Sequence, residues 1–260
     1  HCNNIGGVEM PVSIKTEQEI EKMRIAGRIT ALTLKELEKA IRPGITTYEL
    51  DQIAETFIRS QGAKPNFKGY HDFPASVCIS INDEVVHGIP SKKRILKDGD
   101  IVSLDTGCVI NGFHGDAART FAVGNISDDA KKLIEVTEQS FFQGMKYAKE
   151  GNHLYEISEA IQAYAESHGF SIVRDLTGHG IGRKLHEDPS IPNFRVSKQR
   201  GLRLQAGMTL AIEPMINAGD YEVEWLDDDW TVVTEDGSLS AHYENTILIT
   251  KEGYELLTLI

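Results

Sequence analysis

Hydrophobic positions along this chain change period several times, and each change marks an element. From Ile20 onward, Met23, Gly27, Thr30, Leu34, Leu37 and Ile41 recur at three- and four-residue spacing, the stripe of a helix. Thr16-Glu17-Gln18-Glu19 ahead of it reads as a capping box, and Pro43-Gly44 stops it. A second capping box, Thr46-Thr47-Tyr48-Glu49, opens a helix that buries Leu50, Ile53 and Phe57 and ends at Gly62. The period then falls to two over Ser76-Val77-Cys78-Ile79-Ser80-Ile81, which predicts a strand. Another strand runs from Ile101 to Ile110 into Asn111-Gly112, the dipeptide of a two-residue hairpin turn. Helices follow over about 127–148 and 154–168, and further strands complete the chain.

That order repeats. Tyr48-Glu49 through Gly62 matches Tyr155-Glu156 through Gly169 at a constant offset. One further residue of shift aligns Gly99 through Asp105 loosely with Gly207 through Glu213. Two α/β halves of the same order, each delivering a carboxylate from a matched strand, predict a duplicated domain with a site at the junction.

The strongest chemical signal lies in the hairpin. If Ile110 pairs with Phe113, Asp105 falls opposite Ala118, and Asp116 becomes its diagonal neighbour on the same face. Such neighbours sit roughly 7–8 Å apart at the backbone, so two inward-leaning carboxylates can share an ion. An acid within Ile-Val-Ser-Leu-Asp is costly to bury unless paired, protonated or on a metal. Glu213 ends the apolar run Met208 to Ile212, Glu244 precedes Asn245 to Ile249, and His179 sits in Gly178-His179-Gly180-Ile181-Gly182. Any one of these acids alone reads as a turn or salt-bridge residue; from spacing alone, a metal site and a structural pair stay equally open. As a set, four carboxylates and one imidazole suit Mn(II), Fe(II) or Co(II) better than a structural zinc site, and can hold two ions.

Composition narrows the class. With 260 residues the chain holds one large domain or two small ones, and its net charge of −12 argues against sequence-independent nucleic-acid binding. No apolar run approaches the roughly 20 residues of a membrane span, and no secretory signal is visible. Three cysteines, Cys2, Cys78 and Cys108, without paired spacing fit a reducing compartment. The expectation is a cytoplasmic protein. Residues 1–9 lack periodicity and read as a tag remnant or a disordered extension, with Met10 as the native start.

The motifs Ile79-Ser80-Ile81-Asn82-Asp83-Glu84-Val85-Val86-His87-Gly88-Ile89-Pro90, Gly112-Phe113-His114-Gly115-Asp116, Gly178 to Gly182, Ile212-Glu213-Pro214-Met215 and Tyr243-Glu244-Asn245-Thr246 resemble the methionine aminopeptidase family, in its short bacterial first type. The resemblance runs from Met10 to Ile260. It implies the pita-bread fold: a pseudo-twofold, duplicated α/β (α+β) domain with a curved antiparallel sheet flanked by helices. Residues 10–260 then form a single catalytic domain with halves of about 10–125 and 126–260. It implies that Asp105, Asp116, His179, Glu213 and Glu244 bind two divalent ions of Mn, Fe, Co or Zn. His87 is implied near the scissile amide nitrogen, His186 near the substrate carbonyl, and Glu213 as proton shuttle. Tyr70, Phe73, Cys78 and Trp230 are implied as walls of the methionine pocket. Phe67 and Leu185 depart from the family, which often has Cys and Phe there.

The implied reaction is attack of a metal-bridging hydroxide on the first peptide bond of new polypeptides with a small second residue. Ribosome association is the implied setting, with polypeptide N-termini as partners; the chain has no repeating apolar stripe, so a monomer is the expectation, and its charge and hydropathy predict no contact with nucleic acid or membrane. Two rivals remain: an X-Pro aminopeptidase or prolidase of the same fold, and a non-catalytic binding protein on this scaffold. The first usually carries a large N-terminal domain, and the second loses ligands and tends to be basic.

Overall fold

Helices form where the 3.6-residue stripes lie. The computed structural model describes residues 11–260, so the reading of residues 1–9 lies outside the described residues. Helix α1 (Glu17–Ala40) starts at Thr16, whose hydroxyl accepts the Glu19 amide, and it buries Met23, Gly27, Thr30, Leu34 and Leu37. The Glu19 carboxylate meets the Thr16 hydroxyl at 3.3 Å, so the box closes from one side only. At α2 (Thr47–Ser60) it closes from both: Thr46 N–H donates to Glu49 at 2.8 Å, and Glu49 N–H to the Thr46 hydroxyl at 3.0 Å. Helix α3 (Asp128–Met145) stops short of the expected 148 because residues 147 and 148 turn back to carbonyls only three positions earlier. Helix α4 (Leu154–Ser167) follows.

The hairpin forms in the expected register. Strands Ile101–Ile110 and Phe113–Ala122 pair along their whole length, with Ile110 opposite Phe113, Asp105 opposite Ala118 and Gly107 opposite Asp116. Asn111 (φ 54°) and Gly112 (φ 77°) both take the left-handed conformation that this turn demands. Strand Val77–Ile81 lies along the other edge of Ile101–Ile110, placing Cys78 opposite Asp105.

The second half builds a five-stranded antiparallel sheet in the spatial order Tyr254–Leu256, Asn245–Ile249, Thr209–Ile212, Gly178–Gly180, Glu187–Ile191. One bridge stitches the two sheets together: Ala118 N–H donates to Glu244 O at 3.2 Å, and Glu244 N–H to Ala118 O at 3.0 Å.

Each sheet buries its outer face under a helix pair. Leu34 and Leu37 of α1 and Leu50 and Ala54 of α2 cluster with Val77, Ile79, Val102 and Leu104. Phe141 of α3 and Ile157 and Ile161 of α4 do the same with Leu210, Ile212, Ile247 and Ile249. Every fully buried Leu, Ile or Phe contributes about 1.5–3 kcal/mol, so both sheets are held from outside and leave their inner faces free for polar residues. Among the described residues, no helix is long and apolar enough to cross a membrane.

Candidate metal centre

Strand alternation assembles the site. Cys78, Asp105, Ala118 and Glu244 form one rank across successive paired segments, and residues directly opposite share a face. Asp116, two positions before Ala118, points the same way. In the second sheet His179 pairs with Ala211, and Ala211 with Thr246. Glu213 and Glu244 each stand two positions from members of that rank, so the period of two brings them to the same face. The Thr246 hydroxyl locks the halves, accepting from Asp116 N–H at 3.1 Å and donating to Asp116 O at 2.8 Å.

The five side chains singled out by the sequence converge. His179 Nε2 lies 3.3 Å from Asp116 Oδ2, 3.5 Å from Glu213 Oε1 and 4.0 Å from Glu244 Oε1. Donor atoms of Asp116, His179 and Glu244 fall within 4.8 Å of one another, as do those of Asp105, His242 and Glu244.

Burial disfavours ionisation here, and repulsion between neighbouring acids comes next for Asp105 and Glu244. Asp105 and Glu244 are pushed well above the usual carboxylate range by burial and by neighbouring acids, and Glu213 by burial first. Burial raises Asp116 to about 7. Asp105 Oδ1, Asp116 Oδ1 and both Glu244 oxygens are buried without a hydrogen-bond donor among the described residues. Orphaned carboxylate oxygens converging on one point are what a bound cation satisfies.

The histidine fits the same account. Burial holds the His179 pKa down, favouring the neutral ring. Its Nδ1 lies 2.8 Å from Gly180 O, and a carbonyl only accepts, so Nδ1 carries the proton. That leaves the Nε2 lone pair aimed at the acids, the usual arrangement of a metal-binding imidazole.

His87 and His186 stand around this face. Burial lowers His87 to about 4; it adopts φ 61°, a left-handed backbone uncommon outside glycine, and its ring meets Trp230 edge-on at 6.2 Å. The His186 residue is exposed, yet its ring lies close enough to its neighbours for burial, then His179, to hold its pKa near 3. Its ring centre is 4.1 Å from that of His179, and its Nδ1 is 2.7 Å from the Tyr70 hydroxyl.

Phe73 and Cys78 share one buried apolar cluster with Phe67 and Leu185, and Tyr70 and Trp230 pack against it. Phe73 and Trp230 meet edge to face at 5.1 Å. Because Cys78 is the register partner of Asp105, this pocket adjoins the acid cluster directly. A separate cavity of about 320 Å³ between α1, α3 and residues 258–260 holds none of the four acids; it touches the centre only through His242.

His242 is the residue that sequence reasoning missed. It is 1 % exposed, with Nε2 3.2 Å from Glu213 Oε2. Its signal was available: it stands two positions before Glu244, the spacing that returns an extended chain to the same face.

The model of metallopeptidase family M24 matches residues 21–251 of this chain. Methionine aminopeptidase from Clostridium perfringens is 60% identical over 249 residues, covering 96% of this chain and 99% of that protein. A solved structure of methionine aminopeptidase from Thermotoga maritima superposes with a TM-score of 0.93 at 46% identity, covering 96% of this chain and 100% of that one. An Xaa-Pro dipeptidase from Bacillus anthracis gives a TM-score of 0.75 at 27% identity; the match covers 94% of this chain but only 61% of that larger one. By sequence and by the shape of its fold, the chain belongs to metallopeptidase family M24, in its methionine aminopeptidase branch.

Proposed function

We propose that this chain removes the N-terminal methionine from new polypeptides whose second residue is small. The observation that carries the reading is the row of donor-less buried carboxylate oxygens beside an apolar pocket, joined through the Cys78–Asp105 pairing. Asp105, Asp116, His179, Glu213 and Glu244 hold two divalent ions in this reading, with His179 and Glu213 on one, Asp105 and Glu244 on the other. The mostly oxygen donor set favours Mn(II), Fe(II) or Co(II), and also tolerates Zn(II). When bound, such ions acidify a water and polarise the scissile carbonyl.

The chain's own groups supply the rest. Glu213 is the least buried of the four acids, which suits it to take up and pass on the proton of the attacking water. His186, held by the Tyr70 hydroxyl, faces the carbonyl oxygen where negative charge develops, and such fixed donors are most effective at that stage. His87 serves the leaving amide nitrogen from its fixed, half-buried position. Tyr70, Phe73, Cys78 and Trp230 take the methionine side chain, an unbranched thioether that packs well on aromatic rings. We place the enzyme in the cytoplasm as a monomer acting near the ribosome.

The test mixes metal-stripped protein, resupplied with Mn(II) or Co(II), with Met-Ala-Ser and Ala-Pro-Ser in one tube, read by mass spectrometry. Metal-dependent loss of methionine alone is the expected result, with Asp105→Asn inactive. Cleavage before proline moves the activity to the X-Pro class, whose fold this chain shares. No turnover of either peptide with either metal overturns a catalytic reading.

A further inference from the structure

The two donor groups in the centre are built alike. One is Asp116, His179 and Glu244; the other is Asp105, His242 and Glu244. Each offers one imidazole and two carboxylates, and Glu244 belongs to both. Donors bound at about 2.0–2.2 Å to one ion stand no more than roughly 4.4 Å apart, so the observed 4.8 Å limit needs only a small inward movement.

His242 is prepared for such a role. Strand Ser240–His242 pairs it with Met215, so alternation carries the ring to the face of Glu244 and Glu213. The Thr120 hydroxyl clamps its backbone, accepting from His242 N–H at 2.9 Å and donating to His242 O at 2.8 Å. The ring nitrogen Nε2 is buried and makes no hydrogen bond among the described residues: at 3.2 Å from Glu213 Oε2 it is near enough, but off the line a hydrogen bond needs. A buried imidazole nitrogen that faces three carboxylates and bonds to none of them lacks a partner.

We propose that His242 donates a ring nitrogen to the ion held by Asp105 and Glu244, so that each ion of the pair has its own imidazole. This rests on the two-ion reading of the centre above. A nitrogen at that position moves the preference away from Mn(II), towards Fe(II), Co(II) and Zn(II).

The experiment titrates metal-stripped full-length protein with Co(II), following heat and visible absorption for each equivalent. It compares wild type with His242→Gln, which keeps a polar side chain of similar reach but has no imidazole, and with His242→Ala. In both variants one equivalent should bind at least about tenfold more weakly, the lower end of what losing even an outer partner of a ligand costs. The spectral change should be confined to that equivalent. A second measurement needs no variant: in wild type with ¹⁵N-labelled histidine, Zn(II) should shift two ring nitrogens per chain to metal-bound positions.

If His242→Gln binds both equivalents as wild type does, or only one ring nitrogen shifts, the assignment of His242 is overturned while the metal centre stands. If wild type takes up no Co(II), the two-ion reading falls and the assignment falls with it.

Discussion

The two halves of the molecule bring donors to one point in different ways. Asp105 and Asp116 ride on two ten-residue strands paired without a break. In the second half, His179 and His242 come from three-residue strands, and Glu213 and Glu244 sit in the gaps between strands. The register slips directly after His179. A regular ladder fixes the angle and spacing of one pair of side chains but cannot make them converge with others. Interrupted strands can aim several donors inward, because each interruption redirects the chain. The first half therefore gives the centre its frame, and the second gives it variety of ligand.

Asp105→Asn tests that division most severely. The frame carries no spare donor, so this change should lower kcat/KM by at least about 10³-fold, some 4 kcal/mol of transition-state stabilisation. The metal-free Asp105→Asn protein should nevertheless melt no lower than wild type, since a repelled buried acid has been replaced by a neutral group. Glu213→Gln, from the second half and at a less buried position, should cost less. Equal losses at the two positions would erase the distinction.

Glycine substitutions come next. A Cβ at Gly107 lies 2.2 Å from Gly115 O, and one at Gly180 lies 2.1 Å from Asp188 O. The clashes are alike, but Gly107 is locked in a long ladder beside the Asp105–Asp116 pair, whereas Gly180 adjoins the register slip. Gly107→Ala should cost about 3 kcal/mol in chemical denaturation and Gly180→Ala about 1 kcal/mol, the range of overpacked sites. The reverse order would mean that the slip is as rigid as the ladder.

The same contrast explains what was legible in the sequence. Asn111-Gly112 and a run of alternating residues fix a register by local rules alone, so the Asp105–Ala118–Asp116 geometry could be read without a structure. The helix starts at Thr16 and Thr46 were legible for the same reason. His242 was not: Ser240–His242 is too short to show a period, and the motif that carried the family resemblance begins one residue later, at Tyr243. Counting back two from Glu244 was the only local clue. The Tyr70–His186 hydrogen bond joins residues far apart in sequence through a loop in which His71 and Asp72 take positive φ, and no periodicity announces such a contact. Phe67 and Leu185 are both buried in the apolar cluster beside the pocket, a placement that no local period announces.

Tyr70→Phe removes that hydrogen bond and nothing of the metal-binding face. Activity should fall about tenfold, about 1.4 kcal/mol, in kcat with KM little changed, because the loss is of His186 orientation in the transition state. An unchanged kcat with a raised KM would make Tyr70 a pocket wall only.

The smallest effect separates the acids by pH. Asp116 is raised to about 7 in the fold, so between its unfolded value near 4 and pH 7 the native chain holds a proton that the unfolded chain has lost. Stability from this group is complete at low pH and disappears as pH rises through 7. His87, His186 and His242 act oppositely: lowered to about 4, 3 and 3, they make the fold gain stability as pH rises to about 7.5, where the unfolded histidines have lost nearly all their protons. Between pH 6.5 and 8 the histidines still add stability while the acids remove it, so the acid contribution is read as the difference between metal-free wild type and metal-free Asp116→Asn. Over that range wild type should lose about 1 kcal/mol relative to Asp116→Asn, roughly 2–4 °C in melting temperature for a chain of this size. Saturating Co(II) should remove the loss from wild type, since a cation favours the ionised acids and binds more tightly as protons leave. Glu213→Gln should differ from wild type in the same sense, to the extent that the second half shares the repulsion. Identical pH dependences for metal-free wild type and Asp116→Asn would show that Asp116 is already ionised and neutralised within the fold, leaving no reason in its charge for the two halves to need a metal between them.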